Sequence, residues 1–478
     1  MLQKLIFTHL LIFLSLSLNS QESDSLRIGI HQIENEFYST YFPKEKLFYK
    51  KPTALPSKLI TTEPRTLTRE VLGWHPYWAS STAYLSYDYK ALSHIAYFSY
   101  EVDTATGGYT SIHDWNTTPV IDYAHQQGTK VLLTVTNFGT AKNTEILSDT
   151  TKQKILINTL IDLLKSRNGD GINFDFESVA LSQRNNLVGF IRKAVTKIKA
   201  EIPESEISMA TPAVDWSGSW DLFSLSQLCD YLIVMGYDYY WQGSSTAGPV
   251  APIEGETYNI TRTLYTYLSS AVPPEKLFLG VPWYGYDWPV VSSTRKASAS
   301  GNATARVYSS ATQLAGTYGN LFDQTTKVPW LSYTTSSSWR QLWFEDDESL
   351  SQKYNLVNSK DLAGIGIWAL SYEGERKEIW EKIILAFTVI NETENKILNV
   401  FPNPVSDKSK IVFFMSKKEH ASLKIYDLLG REKLVIVYRV LDAGSYSEPL
   451  NIEGYGAGIY LCVLKTNSSK STWKIVVI

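Results

Sequence analysis

The chain has 478 residues, 44% hydrophobic and 19% charged, with a formal charge of −3 at neutral pH. That length calls for more than one domain, and that balance excludes a disordered chain and offers nothing to attract nucleic acid. Aromatic residues are frequent, 13% with 14 Trp and 30 Tyr, which suits either large barrel-type cores or stacking against ring-shaped ligands.

The first residues, MLQKLIFTHLLIFLSLSLNSQE, place Lys4 before an apolar run that ends in small polar residues, the pattern of a secretory signal peptide over residues 1–20. The run is shorter than the ~20 residues that span a bilayer. No later segment is long and apolar enough to do so, so an exported chain without a transmembrane segment is expected, either secreted or held at the cell surface. Residues 21–69 show weak periodicity and no interpretable motif; they are expected to form a leader that packs on the next domain or stays mobile. Cys229 and Cys462 each sit in an apolar stretch and are expected to be buried thiols rather than a disulfide. The histidines have no Cys or carboxylate partners at metal-ligand spacing, so neither a metal site nor a cofactor is expected.

From residue 70 to about 388, eight β-rich runs alternate mostly with helix-length segments. They are VLGW, HIAYFSY, KVLLTVT, GINFDFE, EISMATPA, DYLIVMGYD, KLFLGVPWYG and GIGIWALS. Between them, QKILINTLIDLLKS and RNNLVGFIRKAVTKIKAEI carry apolar residues at helical spacing. The count and the alternation predict an α/β fold, a (β/α)8 barrel. A doubly wound open sheet is the alternative, but no Gly-rich phosphate loop follows the first run. The long stretch between the seventh and eighth runs predicts a small insertion over about 288–360, walling the C-terminal mouth of the barrel. NETENK and its flanks, 389–396, read as a linker. Residues 397–478 hold short alternating runs such as KIVFFMS and GIYLCVLKT, predicting a C-terminal all-β sandwich.

The run GINFDFE repays attention to its alternation. Successive strand side chains point to opposite faces at a rise of about 3.3 Å per residue, so Asn173, Asp175 and Glu177 share one face and Ile172, Phe174 and Phe176 the other. An acidic edge strand facing water would show the same pattern. A fourth strand of eight in a closed barrel has no edge, so the polar three are expected inside, with Glu177 nearest the mouth.

DGINFDFE resembles the DxxDxDxE signature of glycoside hydrolase family 18, the chitinase-like barrel enzymes, with Asn173 in place of the middle aspartate. GWHPYW, LSHIAYFSYEVD, MGYDYY, LGVPWYGYDWP and GIGIWALS follow in the family's order. The DGxNxDxE form is most similar to its spore-cortex-lytic and chitobiase-type branch. Two departures stand out: the family's Ser-Gly-Gly after the third strand is TVTNFGT here, and Tyr286 stands where an arginine often follows YG.

The resemblance implies hydrolysis of β-1,4-linked N-acetylglucosamine glycans, of chitin or peptidoglycan, by a substrate-assisted retaining mechanism. In it Glu177 is the general acid, Asp175 orients the substrate acetamido group and Tyr237 donates to its oxygen. Met235 and Asp238 complete the MxYD motif beside that subsite, and Trp368 would be the floor under the reacting sugar. Trp283 and Tyr284 would either line the subsite or pack in the core. Asn173 would remove one charge of the usual proton-sharing aspartate pair while keeping a donor and an acceptor near the substrate. The alternatives are an endo-acting enzyme on N-linked glycans and a non-catalytic chitinase-like lectin; such lectins usually lose the acid that Glu177 supplies here.

FPNPVSD, LKIYDLLGRE and YGAGIYLCVLKTNSSKSTWKIVVI resemble the C-terminal sorting domain of cargo of the type IX secretion machinery. A carbohydrate-binding sandwich is the structural alternative, with Tyr446, Tyr455 and Trp473 as its candidate exposed aromatics.

Overall fold

The computed structural model describes residues 27–41, 67–335, 338–388, 395–401, 403–405, 409–451 and 454–477. The expected signal peptide and most of the 21–69 stretch lie outside these residues. The chain divides into two compact units, one ending at Thr388 and one beginning at Val389.

The first unit opens with α1 (Ile30–Tyr41), β1 (Glu70–Pro76), β2 (His94–Val102), the short antiparallel β3 (Tyr109–Ser111) and α2 (Pro119–Gln126). It continues through β4 (Lys130–Phe138), α3 (Thr140–Ser148), α4 (Thr150–Arg167), β5 (Gly171–Glu177), α5 (Arg184–Glu201) and β6 (Glu206–Pro212). Then come α6 (Leu222–Leu228), β7 (Tyr231–Met235), α7 (Ile260–Ser269) and β8 (Leu277–Pro282). The inserted elements are β9 (Tyr284–Val290), β10 (Thr304–Val307), α8 (Tyr308–Tyr318), β11 (Leu321–Asp323), β12 (Val328–Thr335) and β13 (Ser338–Trp343). Helix α9 (Asp347–Ser359), β14 (Gly364–Trp368) and α10 (Glu378–Phe387) close the unit.

All eight β-rich runs are strands of one parallel barrel, ordered β1, β2, β4, β5, β6, β7, β8, β14 and closed by β14 pairing with β1. Local chemistry sets the helices. The Asp149 side chain accepts from the Thr151 and Lys152 amides to start α4, and Asn168, left-handed at φ 53°, ends it. On α5, Leu187, Phe190, Ile191, Ala194 and Ile198 recur at three- and four-residue spacing and are buried.

The insertion is a five-stranded antiparallel sheet with α8, ordered β10-β9-β13-β12-β11. Its sheet begins at Tyr284 and ends at Trp343, so the stretch 347–359 is the barrel helix α9 and not part of the insertion. The reason is local: Asp346 and Ser349 form a reciprocal capping box, and Leu350, Tyr354 and Val357 then bury one face. Asp287, fully buried, ties the inserted sheet together. It accepts from Arg340 Nε at 2.9 Å, Arg306 Nη2 at 2.9 Å and the Tyr333 hydroxyl at 2.7 Å.

The second unit contains β15 (Lys396–Phe401), β16 (Lys410–Met415), β17 (Glu419–Asp427), β18 (Glu432–Leu441), β19 (Gly444–Pro449), β20 (Gly458–Thr466) and β21 (Lys470–Val477). They form a three-stranded sheet, β15-β16-β19, and a four-stranded sheet, β18-β17-β20-β21. Ile411, Phe413, Met415, Leu423, Ile425 and Cys462 share its core. The expected linker is shorter than 389–396, because Asn395 is buried, donating to Thr466 Oγ1 at 2.8 Å and accepting from the Ser416 amide at 2.8 Å. Residues 389–394 lie outside the described ones. Cys229 and Cys462 are both buried free thiols.

Candidate active site

Strand β5 supplies the centre of the barrel mouth. Phe174 and Phe176 point outward and pack on Phe190 of α5, with ring centroids 5.4 and 5.6 Å away. Asn173, Asp175 and Glu177 therefore face inward, and all three are buried. Asn173 lies deepest. Its Oδ1 accepts from Trp74 Nε1 of β1 at 2.9 Å and its Nδ2 donates to Ser208 Oγ of β6 at 2.9 Å. Both ends of the amide are thus committed to the barrel wall. Asp170, just before the strand, accepts from His125 and from the Val131 amide and has a structural part.

Glu177 stands at the rim. Its carboxyl is pushed well above the ordinary glutamate value, first by burial and then by the like charges of Asp175 and Asp238. Among the described residues its Oε1 has no hydrogen-bond partner, and neither has Asp175 Oδ1. A carboxyl raised in this way, with one oxygen uncommitted, suits a general acid.

After β7 the chain turns sharply. Asp238 takes a left-handed φ of 58°, a backbone strain that collects at functional sites. It brings Tyr237 and Asp238 to the same mouth, beside Met235, which lines the adjoining cavity of about 590 Å³. Burial raises Asp238, while the hydroxyl of Tyr284, which donates to it, lowers it. Tyr284 thus reaches the site through Asp238. Trp283 does not reach it: its ring packs edge-on against Trp380 of α10, centroids 4.9 Å apart.

An unforeseen group completes the arrangement. Helix α1 places the His31 ring between these side chains, with Nδ1 2.7 Å from Asp175 Oδ2 and Nε2 2.8 Å from the Tyr237 hydroxyl. A carboxylate only accepts, so Nδ1–H donates to Asp175, and in the neutral ring Nε2 accepts from Tyr237. The ring stacks on Trp368, centroids 3.7 Å apart. The Ile30 amide donates to Asp238 Oδ2 at 3.1 Å. Glu34 Oε2 accepts from Trp368 Nε1 at 2.9 Å and from the Tyr372 hydroxyl at 2.6 Å, and Tyr38 stacks on Trp78. No sequence motif marks this helix; the one available sign was that His31, Glu34 and Tyr38 fall on one helical face.

His31, Asp175 and Glu177 also bring one nitrogen and two carboxylate oxygens within 4.8 Å of one another, a partnership the sequence spacing did not suggest. Ligands of a zinc ion each stand about 2 Å from the metal in diverging directions. Here the nitrogen and the Asp175 oxygen touch directly, as partners in a hydrogen bond.

With this geometry in place, comparison with known proteins identifies relatives. Residues 71–373 match the model of glycosyl hydrolases family 18, and residues 399–478 match the secretion system C-terminal sorting domain. The chain is 29% identical over 272 residues to YdhD of Bacillus subtilis (strain 168), a sporulation-specific glycosylase by name, covering 54% of this chain and 61% of that protein. The cortical fragment-lytic enzyme of Bacillus anthracis is 27% identical, covering 62% of this chain and 69% of that one. Human di-N-acetylchitobiase is 26% identical, covering 62% and 79%. The chain therefore spans less than two thirds of the first of these relatives and somewhat more of the other two. Among solved structures, the spore cortex-lytic enzyme SleL of Bacillus cereus shares the fold with a TM-score of 0.58 and 23% identity, covering 68% of this chain and 75% of that one.

Proposed function

Because the chain belongs to glycosyl hydrolase family 18, we propose that it hydrolyses β-1,4-linked N-acetylglucosamine glycans, of chitin or peptidoglycan type, with the substrate's own acetamido group as nucleophile. One observation carries the reading. Asp175 and Tyr237 face one small space from two sides, as acceptor and donor 2.7 and 2.8 Å from two nitrogens of a single ring floored by Trp368, and Glu177, its carboxyl raised chiefly by burial, stands at its edge.

An acetamido group in that space gives its N–H to Asp175 and receives the Tyr237 hydroxyl on its carbonyl oxygen. The oxygen is then held toward the anomeric carbon, and no enzyme nucleophile is required. Glu177 protonates the glycosidic oxygen as the bond to the anomeric carbon breaks. The acetamido oxygen bonds to that carbon, and Asp175 offsets the positive charge of the resulting oxazolinium ion. Glu177, now a carboxylate, takes a proton from water as the water reopens the ring, restoring the original anomeric configuration. Asn173 anchors the strand beneath this space, and Asp238 and Tyr284 fix its far wall. The names of the relatives, a cortical fragment-lytic enzyme and a chitobiase, support both peptidoglycan and chitin oligosaccharides as substrates.

The sorting domain at 399–478 directs export to the cell surface or beyond it, where such polymers are met. Among the described residues no helix is long and apolar enough to cross a membrane.

The test is turnover of chromogenic N-acetylglucosamine oligomers by wild type and Glu177→Gln. A drop on the order of 10²- to 10⁴-fold in kcat is expected, the usual worth of a general acid, with oligomer binding retained. Tight binding without turnover by either protein would instead make this a lectin. Product analysis on chitin oligomers and on peptidoglycan decides between the two polymers.

A further inference from the structure

We propose that residues 27–41 are a built-in inhibitor of this enzyme, a segment of its own chain seated where the reacting sugar must bind. This rests on the function proposed above and adds a control to it.

The segment satisfies the site as a substrate would. The His31 imidazole presents an N–H and an acceptor nitrogen separated by one carbon, as an acetamido group presents its N–H and its carbonyl oxygen. Its two partners are Asp175 and Tyr237, the pair assigned to the acetamido group. The flat ring lies on Trp368, where the sugar face would lie. Glu34 occupies the indole N–H of that tryptophan and the Tyr372 hydroxyl.

The fit extends past the imitation. Gly29 passes so close to Glu177 that a Cβ at that position would overlap the carboxyl oxygen Oε2. A glycosidic oxygen approaching Oε2 from that side meets this backbone. The N-terminus of α1 carries a partial positive charge, and it points at the acidic cluster, with the Ile30 amide on Asp238. Arg27 donates to the Tyr239 carbonyl at 3.0 Å and its guanidinium lies 5.8 Å from the centre of the Trp216 ring.

The attachment is reversible by construction. A 12-residue helix is marginal by itself in water, so α1 owes its order to docking. Residues 42–66 join the segment covalently to Leu67, which pairs with Thr388 of the barrel unit, a tether that keeps its local concentration at the site high. Cutting the tether turns an intramolecular contact into an ordinary bimolecular one, which dilution reverses.

The experiment uses the full exported chain with a specific protease recognition sequence placed between Lys44 and Lys58. Cleavage followed by desalting is expected to raise kcat/KM on an N-acetylglucosamine oligomer roughly ten- to a hundredfold. A synthetic peptide of residues 27–41 added back should raise KM and leave kcat unchanged, and its His31→Ala form should lose most of that effect. Equal KM and kcat before and after the cut overturn the inhibitor while leaving the hydrolase reading intact. If neither form turns over any oligomer, the hydrolase reading falls, and calorimetric binding of the peptide to the cut, desalted protein decides the inhibitor alone. Saturable binding weakened by His31→Ala upholds it, and absence of binding overturns it.

Discussion

The side-chain nitrogen of Asn173 donates to Ser208 Oγ at 2.9 Å, so the amide in the acidic strand is turned to the barrel wall and not to Asp175. Its oxygen is equally engaged, by Trp74 Nε1. An aspartate fits the same contacts, because Ser208 can turn its hydroxyl to donate. What changes is charge. Asn173 and Glu177 are four strand residues apart, about 13 Å; at an effective dielectric of ~20 a new carboxylate there acts on Glu177 by about 1 kcal/mol, somewhat under one pH unit. Asn173→Asp is therefore expected to keep activity and to move the alkaline limb of kcat upward, since Glu177 works in its protonated form. A pH-rate profile identical to wild type would show that the amide is there for its hydrogen bonds alone.

Asp287 yields a stability prediction. It is fully buried, and Arg306, Arg340 and Tyr333 converge on it from β10, β13 and β12. Deleting the carboxylate removes all three bonds, but the Arg306 and Arg340 side chains are 37% and 20% exposed and turn partly to water, so a loss of about 2 to 3 kcal/mol is expected rather than the larger cost of a charge left fully buried. Asp287→Ala should lower the melting transition of the barrel unit by several degrees and leave that of the C-terminal module in place. Calorimetry reads both, and equal shifts in both would remove Asp287 from its assigned part.

These elements were not equally legible in the sequence. The barrel strands were, because eight apolar runs of strand length must bury themselves and β5 alternates cleanly. Trp368 and Trp283 show the limit: each lies within an apolar β run, yet one ring enters the site and the other packs on Trp380. Alternation tells faces apart only when the strand's exact bounds are known. The start of the insertion was hidden for a related reason, since β9 follows β8 after the single residue Trp283. For His31 the sequence offered only the helical face it shares with Glu34 and Tyr38. Its partners Asp175 and Tyr237 lie 144 and 206 residues away, and a lone histidine in a weakly periodic leader carries no local sign of them.

Glu34 makes seating of α1 sensitive to pH. Its carboxyl is pushed up to about 7, chiefly by burial, with the hydrogen bonds from Tyr372 and Trp368 pulling it down and Asp238 adding to the rise. Tyr38 on its own helix, Tyr237 and Asp238 after β7, Tyr286 of β9, Tyr372 after β14, and Arg27 also face this region. The tyrosines are raised too and stay neutral; Asp238 is raised by burial, while Arg27, the Ile30 amide and His31 of the docked segment lower it. In the undocked segment Glu34 returns to the ordinary range near ~4.3. A docked value above the free one means that docking takes up a proton. Its contribution is fully present below the free value and is lost as pH rises through about 7. Inhibition by the 27–41 peptide should weaken by up to about tenfold per pH unit across that window. The Glu34→Gln peptide should lose that part of the slope; identical slopes for the two peptides would exclude Glu34 as its source.

The last prediction concerns export. Among the described residues, the buried core of the barrel unit ends at Phe387, and that unit ends at Thr388. A chain stopped after Asn391 therefore keeps every buried side chain of the barrel and every residue of the proposed site. It loses the whole match to the sorting domain. Such a truncation is expected to retain the specific activity of the full chain and to accumulate in the periplasm, in a bacterium that carries the type IX machinery. Fractionation followed by assay on N-acetylglucosamine oligomers reads both halves of the expectation. Normal export of the truncated chain would mean that the module has a task other than sorting, while loss of activity would mean that the barrel depends on it for folding.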